Sequence, residues 1–389
     1  MNNKNIINIV LILVVPILSL AFLNILLPNW LDKDHFADWR LISSLLSFAG
    51  LLHLGIADGI YKYWLEMKER EPAIFYRIIY QSAYVIFFMT LVIGYACYLI
   101  FDLGGLTCAA LMVSMFLSAI YSFSYYYNMV FISGYTLTLS LVSQSLSFII
   151  ILIFLKLIDE LNSTSIVLAY GVSNIPSILI SISGFKSIKT TEKSLKDFIF
   201  LGFPLVVSNL SLILFLNIDK IWARIFIDSN SRYAEYALQS SLFVASASIS
   251  ASLGGYLVTK GKSLINWKYR YLFAGFLIVL TTSVGPLFNV IMRTIIPKYM
   301  MDYRIFLLAS VAMFYYSIIY ASHLKVFDSH FFSKISLTLP ILYLIINSII
   351  IYALNLNFEI SSPISIFFCL AIAIIMIEYL GGRRGERKS

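Results

Sequence analysis

Apolar residues fill long continuous runs along this chain, and short polar segments separate these runs. Most runs reach the roughly 20 residues that a helix needs to cross a bilayer. Turn-forming residues such as Gly104-Gly105 mark the connections between them. The pattern predicts twelve membrane-spanning helices, which are Ile6–Leu27, Leu41–Ala57, Ala73–Ile100, Leu106–Tyr126, Leu137–Leu155, Ser165–Ser183, Phe198–Ile227, Leu238–Val258, Tyr271–Ile291, Ile305–Tyr320, Ile335–Leu354 and Ile364–Tyr379.

The composition agrees with this interpretation. Hydrophobic residues make up 60% of the 389 residues and charged residues 12%, whereas roughly a quarter of an ordinary soluble domain is charged. This composition excludes a water-soluble enzyme, and twelve spans leave no room for a large extramembrane domain. The three cysteines lie in apolar runs and form no CxxC pair, so we expect neither a metal site nor a cofactor.

The basic residues are distributed unevenly between the two sides of the predicted spans. If the N-terminus is inside, most of the 28 Lys and Arg residues fall on the inner side, where positively charged loops are retained. We therefore expect a multi-pass membrane protein with both termini in the cytoplasm. The net charge of +8 then reflects contact with anionic membrane lipids, and no nucleic-acid partner is expected.

An internal repeat divides the chain into two halves. The segment Phe36 to Leu46 matches Tyr233 to Phe243, 197 residues later, with five identities and four conservative pairs. Two halves with six helices each are parallel repeats, which some transporters use for alternating access. We predict an all-α integral membrane protein with twelve transmembrane helices, in two six-helix lobes related by a pseudo-two-fold axis along the membrane normal. Residues 1–190 form the N-terminal lobe, residues 191–380 the C-terminal lobe and residues 381–389 a basic cytoplasmic tail.

Two segments carry a resemblance to a known family. The segment Leu52 to Trp64, which contains Gly55 and ends in an aromatic and basic stretch, resembles the end of the second helix in Wzx-type O-antigen flippases. The seventh span also looks like that family, with its Gly202-Phe203-Pro204 start and its later Asp219-Lys220 pair. These flippases belong to the multidrug/oligosaccharidyl-lipid/polysaccharide (MOP) exporter superfamily.

The resemblance implies two lobes around a central cavity and a specific cargo. That cargo is an undecaprenyl-pyrophosphate-linked oligosaccharide, an O-antigen or capsule repeat unit, which moves from the cytoplasmic to the outer leaflet. The resemblance also implies a place in the bacterial inner membrane and work beside a polysaccharide polymerase and glycosyltransferases. The chain lacks the two extra helices of many lipid II flippases, which favours the polysaccharide branch of the superfamily.

The seventh span holds the candidate substrate-binding residues. At 100° per residue, Asn209, Asn217, Lys220 and Arg224 share one helix face. Cationic side chains on such a face can bind a pyrophosphate through charge-assisted hydrogen bonds. The alternative is that both cations extend to the membrane interface.

Further residues of the second and seventh spans are candidates for substrate binding, coupling or gating. Asp219 points away from the basic face and is expected to pair with a neighbouring helix, and Pro204 is a candidate hinge. Arg40 and Asp58 share one face of the second span, about 27 Å apart along a continuous helix. Asp58 either binds a coupling H⁺ or Na⁺ ion or forms an ordinary i, i+4 pair with Lys62, and the ordinary pair is favoured.

Three functions remain open from the sequence. A lipid-linked oligosaccharide flippase fits an anionic substrate on a basic helix face. A drug/cation antiporter of the same superfamily should have acidic residues deep in the N-terminal lobe, where the spans are almost entirely apolar. A membrane polysaccharide polymerase or ligase, which is an enzyme, should have a long outer loop with catalytic Arg or His residues, and no such loop is present in the sequence.

Overall fold

A computed structural model describes residues 22–66, 76–101, 103–131, 134–183, 193–259, 270–299, 302–323 and 329–385. Within these ranges every regular element is helical. Most of the first predicted span and the predicted lobe boundary at residue 190 lie outside the described residues, so both stay predictions. The end of the predicted tail, from residue 386, lies outside them as well.

The described helices follow one another with short connections. The π-helical turn Phe22–Leu26 continues as the short helix Leu27–Trp30, and Ala49–Leu51 forms a turn of 3₁₀ helix. The longer helices are α1 (Lys33–Leu46), α2 (Ile56–Glu66), α3 (Tyr76–Phe101), α4 (Gly105–Phe131), α5 (Gly134–Leu157), α6 (Ser163–Val172), α7 (Asn174–Ser183), α8 (Leu195–Phe226), α9 (Asn230–Thr259), α10 (Arg270–Ile295), α11 (Arg304–His323), α12 (Ser329–Leu354) and α13 (Phe358–Gly385).

The predicted spans agree with these helices from the second span to the twelfth, each of which overlaps one helix or two consecutive helices. Five described helical segments are long and apolar enough to cross a membrane, and three bent helix pairs raise the number to eight. Two shorter apolar helices, Val142–Leu157 and Arg304–Ser317, coincide with the fifth and tenth predicted spans.

The chain divides into two compact units, of which the first contains residues 30–210. In this unit α4 packs against α3, α6 and α7. Small residues allow one of these close contacts, because a Cβ on Gly171 of α6 would lie 2.7 Å from the Cα of Ser114 on α4. The Ser114 hydroxyl donates to the carbonyl of Val167, 2.6 Å away, as is common where membrane helices approach closely.

The second unit contains residues 23–29 and 211–389. Its main contacts are those of α11 with α9 and α13, and of α12 with α13. Buried tyrosines fill its core between these helices.

The internal repeat coincides with equivalent helix starts. Helix α1 begins at Lys33 and α9 begins at Asn230, which is the offset of the sequence repeat. Trp39 of α1 and Tyr236 of α9 occupy matching positions, and both are buried. The two segments therefore form the same local structure within their respective units.

The second predicted span is not one continuous helix. The segments Lys33–Leu51 and Ile56–Tyr63 meet at a bend of 48°. Leu54 and Gly55 at the bend have φ angles of 49° and 88°, a left-handed conformation that interrupts the helical hydrogen bonding. The expectation that Arg40 and Asp58 share one face of a continuous helix is therefore wrong.

Candidate functional site

A buried polar network surrounds Asp219 in the second unit. Asp219 has no exposed surface, and its Oδ2 accepts a hydrogen bond from the Tyr236 hydroxyl at 3.1 Å. Ser362 lies within hydrogen-bond distance of the Tyr236 hydroxyl, at 2.7 Å, and of the Tyr343 hydroxyl, at 2.8 Å. The network thus joins α8, α9, α12 and α13, and the expected pairing of Asp219 with a neighbouring helix is observed.

Lys220 supplies the positive charge of this network. Its Nζ lies 3.4 Å from the Asp219 Oδ1 and donates to the carbonyl of Leu216 at 2.9 Å. Only 3% of Lys220 is exposed. Lys220 is thus buried beside a carboxylate and a carbonyl of its own helix.

Arg224 and Asn217 lie on the same helix but have different partners. The Arg224 guanidinium donates to the Asn230 side chain and lies over the ring of Tyr233, 5.5 Å from the ring centre. The Asn217 amide donates to the carbonyl of Ile213 on its own helix, at 2.9 Å. Arg224 is half-buried and stays close to the Lys220–Asp219 pair along the helix.

A second buried carboxylate, Asp58, lies in the first unit beside the helix bend. Asp58 is 1% exposed, and its Oδ1 accepts a long hydrogen bond from the Asn209 amide at 3.4 Å. The favoured i, i+4 pair with Lys62 is not the arrangement observed, because Lys62 is exposed. Helix α2 instead turns Asp58 inward, towards Asn209 on α8.

His53 also lies close to Asp58. Its Nδ1 lies 3.8 Å from the Asp58 Oδ2, beyond ordinary hydrogen-bond length. The same Nδ1 accepts the backbone N–H of Gly55 at 3.2 Å, so it carries no proton in this arrangement. His53 itself is buried, with 1% of its surface exposed.

Glycines bring α2 and α8 into backbone contact around Asp58. A Cβ on Gly59 would lie 1.9 Å from the carbonyl oxygen of Phe198, and a Cβ on Gly202 would lie 2.0 Å from the carbonyl oxygen of Gly55. Such distances are far below van der Waals contact, so no larger residue fits without a backbone shift. The two segments that carry the family resemblance therefore pack directly against each other.

Pro204 lies within α8, close to this contact. The helix continues through Pro204, and the bend of 41° falls later, between the segments Leu195–Val207 and Asn209–Phe226. Its role as a hinge stays a prediction. Asn209 begins the second of these segments.

Arg40, the remaining predicted binding residue, is buried in α1. It is 8% exposed, and its guanidinium lies 4.7 Å from the centre of the Phe36 ring. This contact provides a cation–π interaction within one helix turn.

The structure thus separates the predicted site residues into two groups. Asn209 and Asp58 meet in the first unit, whereas Asn217, Asp219, Lys220 and Arg224 belong to the second. Sequence reasoning missed the contributions of Tyr236, Tyr343 and Ser362. Of these only Tyr236 carried a signal, as a member of the internal repeat. Among the described residues, no three His, Cys, Asp or Glu side chains are arranged to hold a metal ion.

Comparison with known proteins gives matches at the level of structure. No family model matches the chain, and no curated protein sequence matches it. An outward-facing multidrug resistance MATE family transporter of the MOP superfamily aligns with a TM-score of 0.61 and 14% identity, over 97% of this chain and 94% of that protein.

Two further solved structures also align with this chain over nearly its whole length. A MATE protein in complex with MaD3S aligns with a TM-score of 0.56 and 15% identity, over 99% of this chain and 97% of the other. A MOP superfamily transporter from Pyrococcus furiosus, described as having a binding pocket of reverse polarity, aligns with a TM-score of 0.53 and 14% identity, over 95% and 93%. The chain is therefore similar in fold to MATE transporters of the MOP superfamily, and the predicted all-α membrane fold is confirmed.

Proposed function

We propose that this chain is a transporter, not an enzyme, that moves an undecaprenyl-pyrophosphate-linked oligosaccharide from the cytoplasmic to the outer leaflet by alternating access. The observation that supports this proposal best is a cation, Lys220, held inside a spanning helix of a chain whose fold is shared with MOP transporters over 97% of its length. Buried charges in membrane proteins usually serve transport.

The pyrophosphate group of this cargo explains why we assign Lys220, Arg224 and Asn217 to substrate binding. Lys220 is neutralised by Asp219 across 3.4 Å, which is long for a charge-assisted hydrogen bond. A phosphate oxygen offers the ammonium group a shorter contact, so substrate can replace the carboxylate as its counter-ion. Arg224, one helix turn further along, provides the second cation, and Asn217 provides a neutral donor.

A drug/cation antiporter of the same superfamily is the second candidate. The observation that favours it is Asp58, a buried carboxylate in the first unit, where the sequence spans had suggested almost entirely apolar positions. A carboxylate with an amide partner at 3.4 Å can bind a cationic substrate or a coupling H⁺ or Na⁺ ion. In the flippase proposal, Asp58 and Asp219 are the coupling candidates and Arg40 and Asn209 contribute to substrate binding.

Complementation of a flippase-deficient strain tests the two functions. At matched expression, wild type and Lys220→Arg should restore surface glycan, whereas Lys220→Ala and Arg224→Ala should lose it. Each lost charge-assisted contact is worth about 1.5 to 3 kcal/mol, or one to two decades in affinity. Arg304→Ala is the control, because Arg304 is exposed and pairs with Asp302 outside this network.

The double variant Asp219→Asn/Lys220→Ala separates transport from folding, because it removes both buried charges together. Normal expression without glycan supports the flippase, and full glycan would contradict it. Drug resistance in an efflux-deficient strain that depends on Asp58, without any glycan phenotype, would favour the antiporter.

We further propose that the protein lies in the bacterial inner membrane with both termini in the cytoplasm. In this proposal glycosyltransferases supply its cargo and a polysaccharide polymerase uses it. The uneven distribution of Lys and Arg supports this orientation. Reporter fusions at Ser389 and Asn357 should lie on opposite sides of the membrane. Signals from the same side would contradict the topology.

A further inference from the structure

A cavity of about 800 Å³ lies at one end of the first unit, away from Asp58 and the glycine contact. The starts of three helices and the connection before α6 surround it. The lining residues are His35 and Asp38 of α1, Leu106, Thr107, Ala109, Ala110 and Val113 of α4, and Glu160, Asn162, Ser163, Thr164, Ser165 and Leu168 around the start of α6.

One side of the cavity is apolar and faces outward. Leu106, Ala109 and Val113 follow one another at intervals of three and four residues, so they form one stripe along α4. Leu106 is 77% exposed and Val113 46%, and Leu168 on α6 is 43% exposed. Because α4 and α6 belong to candidate spans, we expect this exposed stripe to face lipid; it runs about 10 Å along the helix.

The other side of the cavity is polar and acidic. Asp38 and Glu160 contribute carboxylates, and Thr107 and Thr164 contribute hydroxyls that lie 2.6 Å apart. None of the described lining residues is Lys or Arg. Glu160, Thr107 and Thr164 lie at or just before helix starts, and Asp38 is the sixth residue of α1. Since helix starts are the ends of candidate spans, we expect this acidic end to lie near headgroup depth and the apolar wall to continue towards the membrane interior.

We propose that this cavity binds a membrane phospholipid whose headgroup carries a primary ammonium group, with one acyl chain along the α4 stripe. The carboxylates attract the ammonium group, and an ammonium N–H donates to carboxylate and hydroxyl oxygens. An anionic headgroup is repelled by Asp38 and Glu160. A soluble amine leaves the apolar wall unused, which is why a lipid fits this cavity better. This site does not depend on the transported substrate.

Native mass spectrometry of the purified full-length protein tests this site with three lipids that have the same acyl chains. These are phosphatidylethanolamine, phosphatidylcholine, which has the same phosphate but no N–H donor, and phosphatidylglycerol. The wild type should retain phosphatidylethanolamine about tenfold more strongly than either of the others, as expected for one charge-assisted hydrogen bond.

The variant Asp38→Asn/Glu160→Gln should reduce this preference to about twofold or less. Asp34→Asn is the matched control, since Asp34 lies in the first turn of the same helix but does not line the cavity, and it should keep the full preference. Equal binding of the three lipids by the wild type would overturn the proposal. So would a preference that survives the double substitution, or displacement of the bound lipid by spermidine at equal concentration.

Discussion

Two buried carboxylates in the described part of the chain have different surroundings. Asp219, in the second unit, has a lysine at 3.4 Å and a tyrosine hydroxyl at 3.1 Å, and hydroxyl groups continue the network to Tyr343. Asp58, in the first unit, has an amide at 3.4 Å and a histidine whose nearer nitrogen is already occupied by a backbone N–H.

The packing around the two residues also differs. Side chains enclose Asp219, including the large buried Tyr236 and Tyr343, whereas backbone encloses Asp58, because glycines bring α2 and α8 together. Removing either partner of the Asp219–Lys220 pair would leave the other charge buried without compensation. Asp58 lies beside the helix bend, with Asn209 and His53 among its neighbours.

The largest effect should come from removing the lysine of the neutralised site. Lys220→Met leaves Asp219 buried without its cation, and breaking a buried ion pair from one side costs about 3 to 5 kcal/mol. Thermal unfolding in detergent should show this loss. The double variant Asp219→Asn/Lys220→Met should recover more than half of the loss, since no uncompensated charge remains. If single and double variants unfold alike, Lys220 does not neutralise Asp219.

The glycine contact should give the next largest effect. Gly59→Ala places a methyl group 1.9 Å from the Phe198 carbonyl oxygen, and overpacking of this kind costs about 1 to 3 kcal/mol. Gly275→Ala is the matched control, because it also lies in a helix and its Cβ has no neighbour within 4 Å. That control should be neutral or stabilise by up to about 1 kcal/mol. Equal stability of both variants would show that α2 and α8 do not need their close contact.

The sequence predicted the fold better than it predicted the site, and particular residues show why. Hydrophobic runs locate membrane helices because each span must bury its backbone polar groups within itself. A helical wheel gave the direction of Lys220 but not its partner, since a flexible lysine side chain can reach the carboxylate of the preceding residue. The bend at Leu54 and Gly55 was not predicted, because glycine is common in membrane helices and its φ angle depends on packing against α8.

The hydroxyl network should contribute less than either the ion pair or the glycine contact. Tyr343→Phe removes one hydroxyl from Ser362 and leaves the ring in place, so we expect a loss of about 1 kcal/mol in unfolding free energy. Tyr352→Phe on the same helix is the control, because Tyr352 is 84% exposed, and it should change nothing measurable. A larger effect at Tyr352 than at Tyr343 would contradict the network.

An exposed ion pair provides the smallest expected effect and shows how much burial matters to Asp219. Asp302 lies just before α11, and hydrogen bonds from Arg304, one of them at 2.8 Å, hold the pKa of its carboxyl below the ordinary value of 3.8. Because the folded-state pKa is lowered, the pair stabilises the fold at pH values above the ordinary pKa, and this stabilisation disappears as the pH falls through the lowered pKa.

At pH 7, Asp302→Asn should cost less than about 0.5 kcal/mol, since both partners are exposed. Unfolding of the wild type and this variant should differ by the same small amount between pH 8 and pH 5. A difference that vanishes within that range would contradict the lowered pKa of Asp302. A difference as large as that of Lys220→Met would show that burial does not distinguish the two pairs.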